Sequence, residues 1–162
     1  MNSVDDNAYV LNKLIDILEK LDESRARRLL YNLACDLYQD KKYKDALIIF
    51  KKLRDSNFSM ESYENIAKCY LRLHNFREAG DSYIAYFDYI IKVKHPFLLY
   101  KCPDILLITG ICYIISGDKA KYELVINNDH LGYARKQELI NRKFSESNDP
   151  DIKYLIEYIY NQ

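Results

Sequence analysis

Apolar residues return at helical spacing along nearly the whole chain. Between Tyr9 and Leu21, the residues Val10, Leu11, Leu14, Ile15, Leu18 and Leu21 share one helical face, so an amphipathic helix is predicted over 9–21 with Ser3 or Asp5 as its cap. The same periodicity predicts helices over 25–38 and 43–54, broken by Gln39-Asp40-Lys41-Lys42. Two more follow over 60–73 and 76–93, with His74-Asn75 as the turn. Beyond the link His95 to Pro103, in which Pro96 and Pro103 disfavour a helix interior, an apolar helix is predicted over 104–116. Gly117-Asp118 turns the chain into a short helix over 119–126. A final pair over 132–144 and 151–160 is separated by Ser145 to Pro150, and the last helix carries Ile152, Leu155, Ile156 and Ile159 on one face. The fold class is all-α.

The pattern also repeats. Tyr43-Lys-Asp-Ala46-Leu-Ile-Ile-Phe50 recurs 33 positions later as Phe76-Arg-Glu-Ala79-Gly-Asp-Ser-Tyr83, close to the roughly 34-residue period of one family of helical hairpins. The preceding helices agree: Leu30, Leu33, Ala34 and Leu37 match Tyr63, Ile66, Ala67 and Tyr70. A bulky residue, an aliphatic–small pair and a second bulky residue let helix A approach helix B closely, while Ala followed four residues on by an aromatic fills the next contact. The chain therefore resembles a tetratricopeptide repeat protein, with repeats over 25–54 and 60–93 and a degenerate one over 104–127 carrying Leu106, Gly110 and Tyr113. The resemblance implies a single domain, 1–162, wound as a short right-handed α–α superhelix and capped by the pair at 132–160.

Length and charge fit that reading. The 162 residues suit one domain or one short solenoid. Lys plus Arg (24) equals Asp plus Glu (24), so no long-range field favours nucleic acid or an anionic membrane and any basic contact must be local. The acidic, polar start from Met1 to Asp6 is unlike a signal peptide. The run Ile105 to Ile115 is about half the roughly 20 residues a spanning helix needs. A cytoplasmic protein is expected, reaching membranes only through its partners. Cys35, Cys69, Cys102 and Cys112 are widely spaced and read as reduced thiols, three of them in apolar helical segments, with no cluster for a metal or cofactor.

No catalytic arrangement has workable spacing. His74, His95 and His130 fall in turns or links, and the carboxylates, Glu146, Asp149 and Asp151 included, fall in turns or on polar faces as solvated groups. A non-enzymatic role in binding protein is expected. In a superhelix of hairpins the A helices line the concave face, which here brings forward Arg28, Tyr31 and Asn32, then Lys68 and Arg72, with Lys92 and Lys94 on the rim. The carboxylate-clamp subfamily that grips chaperone tails needs Lys and Asn where this chain has Tyr31 and Cys35, and only its second Asn is matched, by Asn65. That activity is not expected.

From Pro96 onward the chain also resembles the soluble NSF-attachment proteins, the adaptors that link SNARE bundles to the NSF ATPase. The matching residues are Pro96-Phe97-Leu98-Leu99-Tyr100, Gly110-Ile-Cys112, Gly117-Asp118, Arg135-Lys-Gln-Glu138-Leu139, the acidic loop Glu146 to Asp151, and Tyr154 in the helix after it. The resemblance implies an adaptor that binds a SNARE-like helical bundle in vesicle fusion or intracellular trafficking. Members of that family carry a further C-terminal segment that stimulates the ATPase and an apolar membrane-contacting loop near their start. Neither has a match here, so the resemblance implies the contact with a helical bundle, and an NSF-type ATPase as a partner without the segment that stimulates it. The alternative is a generic tetratricopeptide scaffold in another assembly, and a third reading uses the repeats as a platform for regulation or catalysis. An adaptor predicts one-sided positive charge, a scaffold an apolar groove, and an enzyme a deep pocket with convergent polar groups.

Overall fold

A computed structural model describes residue 9 and residues 11–16, 23–55, 61–94, 96–145 and 147–161. The protein is all-helical, with no strand among the described residues. It divides into two compact units, residues 1–73 and 74–162.

In the first unit residues 11–16 are helical, followed by α1 (Glu23–Gln39), α2 (Tyr43–Asp55) and α3 (Glu61–Arg72). α1 packs on α2, and α2 on α3. The apolar period sets which faces are buried. Ala26, Leu30 and Ala34 recur every fourth residue on α1 and are buried, and Leu30 and Ala34 share a core with Ala46, Ile49, Phe50 and Leu53 of α2, Ile66 and Cys69 of α3, and Ile15. α1 ends without a glycine. Lys41 takes a left-handed conformation (φ 62°), and the Lys42 amide donates to the Leu37 carbonyl at 2.8 Å, which satisfies one of the carbonyls a helix end leaves open. The predicted helix over 9–21 is helical where described; its caps Ser3 and Asp5, with Val10, Leu18 and Leu21, lie outside the described residues.

The second unit contains α4 (Phe76–Val93), a 3₁₀ turn (Leu99–Lys101), α5 (Cys102–Ser116), α6 (Lys119–Ile126), a second 3₁₀ turn (Asp129–Leu131), α7 (Tyr133–Asn141) and α8 (Pro150–Tyr160). α5 is its centre. α4, α6, α7 and α8 all pack on it, and every residue from Ile105 to Tyr113 is buried. Leu99–Ser116 has the length and composition to cross a membrane, yet most of α5 is buried in this unit. Close approach is achieved with glycine. A Cβ at Gly80 of α4 would lie 2.7 Å from the Tyr113 ring, and one at Gly110 of α5 would lie 2.6 Å from a methyl of Leu139 on α7.

Three sequence expectations need adjustment. The apolar helix starts at Cys102 rather than 104, because Pro103 sits in the first turn, where its missing N–H costs nothing. α7 stops at Asn141, before the predicted 144, since Arg142 turns left-handed (φ 51°). The last two helices are not mainly a pair: each packs on α5.

Candidate functional site

Two regions gather polar side chains. The first lies on α1 and α3 of the first unit. Arg28, Tyr31, Asn32 and Cys35 fall on one stripe of α1, and Glu61, Glu64, Asn65, Lys68 and Arg72 on one stripe of α3. The stripes meet where the Asn65 Nδ2 donates to the Tyr31 hydroxyl at 3.2 Å. Tyr31 is half-buried and stands edge-on to Phe50, ring centres 5.9 Å apart. Burial raises its pKa, partly opposed by the Asn65 hydrogen bond, with Glu61 close enough to raise it further. Arg28 and Asn32 are exposed. Lys68 is half-buried and its Nζ lies 2.7 Å from Glu64 Oε1 one turn earlier, so its charge is locally offset and the face is mixed rather than positive. The other two sequence-derived candidates, Lys92 and Lys94, are exposed at the end of α4, in the second unit.

The second region is a cleft of about 420 Å³ in the second unit, lined by α4, α5 and α6. Ile84, Phe87, Leu124 and Val125 supply apolar wall, and Asp81, Asp88, Tyr113, Lys121 and Asn128 supply polar groups. Asp81 Oδ1 accepts from the Tyr113 hydroxyl at 2.8 Å and from Lys121 Nζ at 2.5 Å. Burial raises the pKa of Tyr113, and the adjoining Asp81 carboxylate, which accepts its proton, raises it further. Tyr113 therefore stays a neutral donor. Sequence reasoning placed Tyr113 only as a packing residue and left Asp81 and Lys121 unremarked. Their spacing of 40 residues offers no local motif.

One carboxylate expected in solvent is buried. Asp151 is 3% exposed, and its Oδ2 accepts from the Tyr83 hydroxyl at 2.7 Å. Its neighbour Asp149 behaves as a helix cap, accepting from the Asp151 and Ile152 amides. The correction follows from packing: α8 docks on the core through Ile152 and Leu155, which carries the first turn inward with them. Of the turn histidines, His74 is exposed yet stands edge-on to Tyr158 at 5.2 Å, and His130 stands against Phe87 at 5.5 Å. His95 and Glu146 lie outside the described residues. All four cysteines are free thiols, and among the described residues no cluster has the make-up of a metal site.

The chain matches no protein-family model, no curated protein and no solved structure.

Proposed function

We propose that this chain is a non-enzymatic adaptor built of tetratricopeptide-like hairpins, whose α1/α3 face binds a helical partner such as a SNARE-like bundle. The observation that supports the reading is the Tyr31–Asn65 hydrogen bond, which ties α1 to α3, the two helices that the repeat register reads as A helices. It joins two polar stripes into one surface, the one that would be concave if the hairpins wind as a right-handed superhelix. Burial of Leu30, Ala34, Ala46 and Phe50 in one core supports the repeat register. Recognition would rest on shape and on Arg28, Asn32 and Arg72, with Lys68 contributing less charge because Glu64 offsets it. Rim charges of this kind act mainly on association rate and salt dependence.

The test is a titration of the full chain against an assembled SNARE bundle at low and moderate salt. Saturable binding that weakens with salt, and is lost in Arg28→Glu with Arg72→Glu but largely kept in Lys68→Gln, is the expected result. No binding at any salt removes the SNARE-bundle reading. The cleft lined by Ile84, Phe87 and Leu124 favours a second reading, a tetratricopeptide scaffold that seats an apolar client segment there. In that case Leu124→Asp would abolish client capture and the α1/α3 variants would not.

A further inference from the structure

The link between α4 and α5 combines two features. From Tyr89 to Pro103 the chain carries three lysines, Lys92, Lys94 and Lys101, and no acidic residue. The same stretch exposes large apolar side chains: Phe97 is 78% exposed, Tyr100 73%, Val93 44% and Leu99 42%. The arrangement is held at both ends. α4 closes on Lys94, which is left-handed (φ 47°) with its amide donating to the Ile90 and Ile91 carbonyls, and Ile90 is buried. At the other end the Lys101 amide donates to the Leu98 carbonyl at 2.9 Å, and Cys102 is buried as α5 begins.

Exposed Phe and Tyr rings and aliphatic side chains, with three lysines in the same short stretch, match the interfacial zone of a bilayer, where rings and chains sit among acyl carbons and ammonium groups reach lipid phosphates. We propose that the described residues 92–94 and 96–101 carry an interfacial anchor that binds an anionic membrane directly, Phe97, Leu99 and Tyr100 entering the headgroup region and Lys92, Lys94 and Lys101 meeting its negative charge. The contact is local, so an overall charge of zero does not oppose it. It differs from the expectation that partners alone bring the chain to membranes, and it is independent of the α1/α3 face. Two other occupants fit less well. Single-stranded nucleic acid would stack on Phe97 and Tyr100 but leave Val93 and Leu99 without a counterpart. A second copy in a two-fold contact would set three lysines against three.

Co-sedimentation of the full chain with phosphatidylcholine vesicles, alone or mixed with phosphatidylserine, tests the proposal. Expected is binding to the mixed vesicles only, weakening as salt rises. It should fall about tenfold or more in Phe97→Ser/Tyr100→Ser and in Lys92→Glu/Lys94→Glu, with helical circular dichroism unchanged in both. No binding to anionic vesicles would overturn the anchor, as would equal binding to neutral ones, or binding unaltered in either folded variant. Variant-sensitive binding of an oligothymidylate in place of vesicles, or variant-sensitive self-association in their absence, would overturn it in favour of the other occupants.

Discussion

Asp151 occupies the first turn of α8, where the unpaired amides of a helix start favour negative charge. That field alone would hold a surface carboxylate; what makes this one structural is the Tyr83 hydroxyl, 68 residues earlier, donating to it in the interior. Replacing Tyr83 by Phe keeps the ring in its buried site and removes only that donor, leaving a buried carboxylate oxygen one partner short. A loss of about 1–3 kcal/mol is expected, read as a lower urea midpoint with an unchanged denaturant slope. Asp149 and Asp151 look alike in sequence, two carboxylates around Pro150 in an acidic run. The Asp149-Pro150 step marks Asp149 as the cap, but nothing local marks Asp151 for burial, which is decided by the docking of α8 on the core and by Tyr83 of α4. The same holds for Asp81 and Lys121. Residues whose role depends on a neighbour close in sequence, such as the Glu64–Lys68 pair one turn apart, fall on stripes that helical spacing already defines.

Helices were far more legible than side-chain partners, and the reason is where each signal resides. The limits of α2, α4 and α6 follow from apolar spacing inside them and from turn residues next to them: Gln39 to Lys42, His74-Asn75 and Gly117-Asp118. At Gly117 the left-handed turn has the residue that takes it most easily, but Lys41, His74, Lys94 and Arg142 make similar turns without glycine. That is why the end of α7 at Arg142 could not be read in advance. α5 carries a different constraint, since it is buried on all sides and its neighbours must fit its surface. Gly110 is the point where Leu139 of α7 rests on it, both residues being buried. Gly110→Ala would press a methyl into the Leu139 side chain and is expected to cost about 1–3 kcal/mol, despite alanine's better helix propensity. Calorimetry of the single variants and of Gly110→Ala with Leu139→Ala checks the cause. If steric overlap is responsible, the double variant loses less than the two single losses added together.

At the scale of the whole molecule, each unit closes a core of its own: one around Leu30, Phe50 and Ile66, the other around α5. The periodicity that defines the helices carries no mark of this division, which falls between Leu73 and His74, within the hairpin predicted over 60–93. Both units nonetheless share a titration property. Burial pushes the Cys69 thiol of the first unit from 9.0 up to about 12, and burial likewise raises Cys112 and Tyr113 in the second. An unfolded chain releases these protons earlier than the native one, so above pH 9 the native state binds more protons and stability must fall as pH rises. The contribution of Cys69 is complete below pH 9 and is lost across the window from 9 to about 12. Each proton kept only by the native state steepens the decline by about 1.4 kcal/mol per pH unit. Urea unfolding at a series of alkaline pH values, followed by circular dichroism, should show a flat midpoint up to pH 9 and a steady fall beyond it. Cys69→Ala would make that fall shallower by removing one of the groups responsible, whereas a midpoint flat to pH 11 would mean that these groups titrate alike in the folded and unfolded chain.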